Sequence, residues 1–294
     1  EEGELTQIRT YDDGTFKIMI SARRAGRQKT IWIKDYTADG MLVTNYALQA
    51  DQSKSLLFAR SLKLDNQKQI VTGVYGNRYG EYSRGVFVAT IDPSGHQQIR
   101  YYNYAELDNF FRYMKAKREH RVKERIERRK IKGKKIKFNY RVLIHDLVED
   151  NGQYIMLGEA FYPQYTSISR SNFGQGGFFN SYAPYSTSYI RGDQVFDGYR
   201  YTHAVVIGFD SNGGLLWDNS FEINDVKTFT LEQFVRLSSE YDKVVLLYLF
   251  DNQLRSKVIK GDQVLEGKSS DPLRTLNSTD VPLADGSRRG MLEY

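Results

Sequence analysis

Three stretches of the sequence share a β-hairpin pattern, and this pattern decides the fold. They are AVVIGFDSNGGLLW at 204–217, TIWIKDYTADGML at 30–42 and VFVATIDPSG at 86–95. Each predicts a strand, a turn that ends in glycine, and a following strand. The closing glycines, Gly213, Gly40 and Gly95, suit the positive φ that a tight hairpin turn requires. A weaker fourth copy, SKVIKGDQVL, lies at 256–265.

Two further strands precede each hairpin. Apolar runs that predict buried strands lie at 14–20, 69–74, 152–159 and 242–248, and shorter strands precede them most clearly at 55–60 and 140–147. The repeated unit is therefore four strands, and the copies fall at about 5–50, 54–104, 139–223 and 229–267. Four-stranded units of about 40–50 residues are typical of propeller blades. The sequence predicts an all-β fold, a β-propeller-like array of four-stranded blades in a single domain spanning 1–294; two meander sandwiches are the alternative.

One hairpin also carries a family resemblance. The segment GFDSNGGLLW at 208–217 resembles the outer-strand hairpin of quinoprotein-like propeller repeats, in which an Asp, a turn Gly and Leu-Trp follow one another. The other hairpins match this pattern loosely, and only this copy has a Trp after the turn. The resemblance, shared with bacterial non-enzymatic propellers, implies a fold and not the quinone chemistry, so no cofactor is expected.

The amino-acid composition favours a strand-rich fold and excludes several kinds of functional site. The chain of 294 residues has 14% aromatic residues, with 22 Tyr and 16 Phe against five Pro, which favours strands. It contains no Cys, which excludes disulfides, thiolate catalysis and Cys-based metal sites. No apolar run approaches the roughly 18 residues of a membrane helix, so no membrane span is expected. We expect a periplasmic, outer-surface or extracellular protein whose signal lies outside this sequence.

The first of two insertions, at about 105–138, predicts a long basic helix. Apolar residues from Leu107 to Met114 recur at helical spacing and form a stripe that can dock on a sheet. Residues 115–137 then contain 13 Lys or Arg and three acidic residues, a local net charge of +10 in a chain whose total is +6. Gly133 is expected to end the helix. The anion-binding candidates are Lys117, Arg118, Arg121, Arg125, Arg128 and Arg129; the alternative is a solvated charged arm held by pairs at i and i+4.

The second insertion, at 162–201, is rich in aromatic residues set among Gly, Ser, Asn and Gln. It holds eleven Tyr and Phe residues. Loops of this length are uncommon unless they function, and Tyr with Ser and Gly forms adaptable contact surfaces. The candidates for partner binding are Tyr165, Phe173, Phe178, Phe179, Tyr182, Tyr185 and Tyr189. The alternative is that these aromatic residues fold back and cover a blade.

Catalytic and metal motifs are not evident in the sequence. The four histidines, at 96, 120, 145 and 203, lack the spacing of a zinc motif. One histidine–carboxylate cluster is conceivable, from His145, Asp146 and Glu159 with His203 across the insertion. Such histidines are more often structural, and no phosphate loop, nucleophile elbow or dinucleotide motif accompanies them.

These observations favour a non-enzymatic interaction scaffold. It would bind a protein partner through the aromatic insertion and the basic helix. One alternative is a glycan-acting hydrolase with two carboxylates facing each other at the propeller mouth. A further alternative is nucleic-acid or anionic-surface binding through the basic helix. The sequence leaves the number of blades and the oligomeric state open.

Overall fold

The fold is a series of antiparallel sheets in chain order. The computed structural model describes residues 3–23, 28–64, 68–134, 136–167 and 194–272. In these residues strands β1 to β17 form four sheets, joined by one α-helix and one short 3₁₀ turn. The predicted all-β class and the four-strand unit are therefore confirmed.

Sheets 1 and 2 are simple meanders in which each strand pairs with the next. Sheet 1 consists of β1 (Gly3–Thr10), β2 (Phe16–Arg23), β3 (Lys29–Tyr36) and β4 (Leu42–Ala47). Sheet 2 consists of β5 (Lys54–Lys63), β6 (Gln69–Asn77), β7 (Ser83–Ile91) and β8 (Gln97–Asn103).

Sheets 3 and 4 follow the same plan, and sheet 3 has one additional strand. Sheet 3 consists of β9 (Arg141–Asp150), β10 (Gln153–Ser167), β11 (Gln194–Phe209) and β12 (Leu215–Glu222), and the short β13 (Lys227–Thr228) pairs with β11. Sheet 4 consists of β14 (Arg236–Glu240), β15 (Lys243–Phe250), β16 (Gln253–Lys260) and β17 (Gln263–Pro272).

The hairpin glycines adopt the conformation that the sequence predicts. Gly40, Gly95 and Gly213 have φ values of +81°, +84° and +74°. In the third hairpin the Asp210 carboxylate accepts hydrogen bonds from the Asn212 and Gly214 backbone amides, both at 2.8 Å. The side chain thus holds the turn while glycine supplies the left-handed backbone.

Each sheet packs face to face on the next, which produces three separate apolar cores. Met19 and Ile33 of sheet 1 meet Val71 and Phe87 of sheet 2 in the first core. The second core lies between sheets 2 and 3 and includes Val74, Val86, Ile144, Met156 and Val205. The third lies between sheets 3 and 4 and includes Leu157, Val206, Val244, Leu246 and Ile259. The two middle sheets therefore contribute residues to two cores each.

The first insertion differs from the predicted long helix. The α-helix, α1, spans only Ala116–Ile131, and a 3₁₀ turn at Tyr104–Glu106 followed by turns precedes it. The Asp218 carboxylate of β12 accepts hydrogen bonds from the backbone amides of Asp108 (2.9 Å) and Asn109 (2.8 Å). These tertiary bonds hold the segment in a turn, so the apolar stripe is buried without being helical.

The end of α1 agrees with the prediction. Gly133 has a φ of +58°, and its amide donates to the Lys130 carbonyl at 2.9 Å. The following amide, of Lys134, donates to the Arg129 carbonyl at 3.0 Å, so two carbonyls of the last turn have partners beyond the helix. Within the described ranges, no helix has the length and apolarity needed to cross a membrane.

Candidate functional site

Strands β10 and β11 extend well beyond the rest of sheet 3. Strand β9 pairs with β10 only as far as Phe161, and β12 pairs with β11 only as far as His203. Beyond these residues β10 and β11 continue as a two-stranded hairpin, which the structure describes as far as the pair Ser167 and Gln194. Only β13 accompanies this part among the described residues. The flanks of the predicted loop at 162–201 are therefore strands.

Aromatic residues on this hairpin, together with Phe229 directly after β13, form what we term the aromatic stem: Tyr162, Tyr165, Phe196, Tyr199 and Phe229. The Tyr165 and Phe196 centroids are 5.9 Å apart, those of Phe196 and Tyr199 5.0 Å, and those of Phe196 and Phe229 6.3 Å. Such edge contacts stabilise aromatic pairs beyond the area they bury. The exposed fractions are nevertheless 45% for Tyr162, 39% for Tyr165 and 68% for Phe229.

A cavity of about 670 Å³ lies at the base of the aromatic stem. Phe229, Phe234 and Phe250 line it together with polar residues such as Lys227. Lys227 Nζ forms an ion pair of 2.5 Å with Asp197, which ties β13 to the start of β11. The base of the stem therefore borders a concavity lined by both aromatic and charged side chains.

The structure describes only one of the seven predicted binding residues of the second insertion. Tyr165 lies in the aromatic stem, as described. Six others lie outside the described residues: Phe173, Phe178, Phe179, Tyr182, Tyr185 and Tyr189. Phe229 was missed, because its place in the stem depends on the pairing of β13 with β11, which is a long-range contact that no local pattern reveals.

The acidic residues of helix α1 are paired. Glu119 contacts Lys123 at 2.7 Å and Glu127 contacts Lys130 at 3.4 Å, each between oxygen and Nζ. His120 lies 3.5 Å from the remaining carboxylate, that of Glu124. These contacts are the i, i+3 and i, i+4 pairs of a charged surface helix.

Four arginines lie together on another side of α1, which we term the arginine flank: Arg118, Arg121, Arg125 and Arg128. Their spacing of three, four and three residues places them along one face over about 15 Å. All four are exposed, and none forms an ion pair with a described carboxylate. Lys117 is also exposed and Arg129 is half-buried. The helix is docked and does not project freely, since Ile126 is buried in the core between sheets 2 and 3.

Part of the conceivable histidine–carboxylate cluster is present, but as a buried structural pair. His145 Nε2 lies 2.9 Å from Glu159 Oε2, and their side chains are 6% and 0% exposed. Glu159 also accepts hydrogen bonds from the backbone amides of Phe234 and Val235. The carboxylate thereby links sheet 3 to the segment that leads into sheet 4.

His203 lies apart from that pair, in an aromatic environment. Its ring stacks on Tyr113 with centroids 3.7 Å apart, and Nδ1 contacts the Thr202 hydroxyl at 2.9 Å. Nε2 is buried and has no hydrogen-bond partner among the described residues. Burial lowers the pKa of His203 to about 3, so the ring is neutral at physiological pH.

A small groove lies where the first strands β1, β5 and β9 approach one another. Its volume is about 260 Å³, and its lining includes Glu4, Glu81 and Arg141. Glu81 is 76% exposed and pairs with Arg141 at 3.5 Å. This carboxylate belongs to a surface ion pair and is not enclosed in a cleft. Among the described residues, no three His, Asp or Glu side chains converge as metal ligands would.

Comparison with known proteins gives only distant likenesses. No family model and no curated protein matches the sequence. The fold is similar to an acylaminoacyl peptidase of Pyrococcus horikoshii, with 10% identity and a TM-score of 0.39 over 92% of this chain and 33% of that one. It is also similar to the polysaccharide lyase Uly1, with 12% identity and a TM-score of 0.40 over 93% of this chain and 50% of that one. This chain thus spans a third and a half of those proteins.

Proposed function

We propose that this chain is a non-enzymatic interaction scaffold of propeller type, which works in the cell envelope or outside the cell. The propeller interpretation is supported by contacts between the first strands of successive sheets. Strand β1 contacts β5, β5 contacts β9, and β9 contacts β14. In propellers the first strands of the blades line the centre in this way while the later strands point outward.

The observation that carries the binding role is the exposed aromatic stem. Aromatic residues are enriched in the centres of protein interfaces, where they supply most of the binding energy. Here they stand on a paired hairpin whose backbone is held by β13, so their ordering costs little entropy on binding. An exposed apolar surface of this kind on a rigid support marks a site for a protein partner.

The arginine flank suggests the charge of the partner. Its four guanidinium groups have no carboxylate among the described residues, whereas the acidic residues of α1 are occupied by Lys and His. Guanidinium groups bind carboxylates and phosphates through two parallel hydrogen bonds. We therefore assign to the partner an apolar patch for the stem and an acidic patch for the helix.

A photo-crosslinking experiment tests the role of the stem. A photoreactive phenylalanine analogue replaces Tyr165, or separately Tyr162, in the full chain expressed in its native host. We expect one discrete adduct at these positions, and mass spectrometry then identifies the crosslinked protein.

Two tyrosines outside the stem are the matched controls. Tyr79 is 71% exposed and Tyr241 82% exposed, and both lie in turns of other sheets. The analogue at these positions should give no such adduct. The same adducts at all four positions, or none at Tyr162 and Tyr165, would contradict the proposed role of the stem.

A charge-matched pair of variants tests the arginine flank. In one variant Gln replaces Arg121 and Arg125; in the other Gln replaces Lys123 and Lys130, whose ammonium groups pair with Glu119 and Glu127. We expect only the first to weaken the Tyr165 adduct, because both lose the same net charge but only the two arginines have no carboxylate partner among the described residues. Tight, salt-sensitive binding of a random-sequence oligonucleotide that the first variant loses would favour the nucleic-acid alternative instead.

A further inference from the structure

Sheet 1 has an apolar face that no described part of the chain covers. The register aligns Leu5 with Ile20 and Ile20 with Trp32, and it aligns Ile8 with Ile18. These side chains point away from sheet 2, since the alternate residues of β2 and β3 face the first core. Leu5 is 54% exposed and Ile8 59% exposed. We term this the outer face of sheet 1.

Sheet 4 has a corresponding face at the other end of the molecule. Strand β15 is apolar without interruption from Val244 to Phe250, which is typical of strands covered on both sides. Val244, Leu246 and Tyr248 are buried against sheet 3. Val245, Leu247 and Leu249 alternate with them and are only half-buried. Leu254 and Val258 of β16 pair with Leu249 and Val245 and extend this far face of sheet 4.

The outer face of sheet 1 and the far face of sheet 4 are of the same two types that pack against each other in the cores. We call the face of a sheet that points toward the preceding sheet in the chain its near face, and the opposite face its far face. In each of the three cores, the far face of one sheet packs on the near face of the next sheet. The outer face of sheet 1 corresponds to a near face without a preceding sheet. The far face of sheet 4 corresponds to a far face without a following sheet. Sheet 1 therefore offers an uncovered near face, and sheet 4 offers the uncovered far face that could pack on it.

We propose that two copies of this chain close a ring of eight sheets. The outer face of sheet 1 in each copy packs on the far face of sheet 4 in the other copy. This inference rests on the propeller-type stacking of the proposed function. Eight sheets lie within the usual range of four to eight blades. A two-fold axis makes both contacts identical and covers the outer face of sheet 1 and the far face of sheet 4 in both copies.

The mass of the full chain in solution tests this proposal. Sedimentation and light scattering should give twice the chain mass of 34.1 kDa. The double variant Leu5→Glu, Ile8→Glu should give the monomer mass and an unchanged circular dichroism spectrum, since both side chains are solvent-exposed in a single copy. The control Leu216→Glu should remain a dimer, because Leu216 is 49% exposed on β12, away from both faces.

Crosslinking tests which faces meet. The chain contains no cysteine, so single cysteines can be placed freely. Copies with Ile8→Cys mixed with copies with Leu254→Cys should join through a short bismaleimide, and Ile8→Cys copies alone should not. Joining of two Ile8→Cys copies would overturn the proposal, since the outer faces of sheet 1 would then meet each other.

A wild-type chain that is monomeric up to its highest soluble concentration would also overturn the proposal. That result would leave the aromatic stem untouched, because a monomer can still form the Tyr165 adduct. Conversely, a dimer without any Tyr165 adduct would overturn the proposed partner binding and leave the ring in place.

Discussion

Strands β6 and β2 occupy equivalent second positions in neighbouring sheets, but they are buried differently. In β6 every residue from Gln69 to Gly76 is buried, whereas in β2 burial alternates from Phe16 to Ser21. The same contrast separates β11, which is buried without interruption from His203 to Phe209, from β15. Strand β15 is no less apolar than β11. The burial of a strand is therefore set by the position of its sheet in the stack and not by its composition.

The middle sheets and the end sheets should also contribute differently to the stability of the fold. Sheets 2 and 3 contribute residues to two cores each, so a defect in either disturbs interfaces on both sides. Sheets 1 and 4 contribute to one core each in a single copy. The end sheets should therefore be the parts that open first, with local unfolding free energies below that of the whole domain.

The largest expected effect compares two isoleucine truncations. Ile70→Ala in β6, where the side chain is 0% exposed, should lower the free energy of unfolding by about 2–5 kcal/mol. Ile8→Ala in β1 should change it by less than about 0.5 kcal/mol in a dilute monomer. Urea denaturation of both variants measures this difference. Equal losses at the two positions would break the distinction between middle and end sheets.

If two copies pair as proposed, the destabilisation by Ile8→Ala should depend on protein concentration. The face that Ile8 occupies is then buried in the dimer, and folding is coupled to association by mass action. The destabilisation by Ile8→Ala should therefore grow as the protein concentration rises, whereas that of Ile70→Ala should not. Repeating the urea titrations over a range of protein concentrations separates the two cases.

The next effect concerns the close packing of sheet 3. Gly208 in β11 lies opposite Trp217 in β12, and a Cβ atom at Gly208 would be 2.4 Å from the indole ring. The indole Nε1 is also held by Gln153 at 2.8 Å, so the ring cannot move away freely. Gly208→Ala should cost toward the upper end of about 1–3 kcal/mol.

Fluorescence identifies the cause of that loss. The chain has two tryptophans, so in a Trp32→Phe background the emission reports Trp217 alone. Gly208→Ala should shift this emission to longer wavelength as the ring is displaced into solvent. In combination with Trp217→Ala the glycine substitution should cost much less, as expected of two residues in direct contact. An unshifted spectrum together with full destabilisation would contradict this explanation.

The smallest effect appears only at acidic pH. The pKa of His203 is lowered to about 3 in the folded state against an ordinary value of 6.5, so the unfolded chain binds the proton more tightly. The stability contributed by the neutral ring is present above pH 6.5 and is lost as the pH falls toward 3. At pH 4.5 this loss is on the order of 2–3 kcal/mol.

The variant His203→Phe should escape that loss, because its ring keeps the stack on Tyr113 without a titratable nitrogen. The comparison is the difference in unfolding free energy between pH 7 and pH 4.5 for the two proteins. His145→Gln serves as the control and should leave the contribution of His203 unchanged. An identical pH dependence in the wild type and His203→Phe would show that another group controls the acid response.

The repeat was accessible from the sequence because its signals are local. Strand periodicity and the glycines at 40, 95 and 213 depend on neighbouring residues alone, and these glycines have the expected positive φ. The boundaries of the first insertion were not accessible. The turn at Asp108 and Asn109 is held by Asp218, a carboxylate more than a hundred residues away.

The candidate site was accessible only in part, for a similar reason. The abundance of aromatic residues at 162–201 pointed to the aromatic stem, but Phe229 joins it through the pairing of β13. On α1 the sequence showed the excess of charge. The separation of paired Lys and Glu from unpaired arginines required side-chain geometry. Long-range pairing and rotamers are the information that a local pattern lacks.

The concentration of positive charge on one segment makes the charge distribution of the chain uneven. Residues 115–137 carry a net +10, and the rest of the chain carries −4. Because α1 is docked on the body through Ile126, its positive charge is held at a fixed place on the surface. In the field of an acidic partner the molecule would rotate before contact and approach helix first. The benefit would be in the rate of association, and it would fade as salt shortens the Debye length to about 10 Å at 0.1 M.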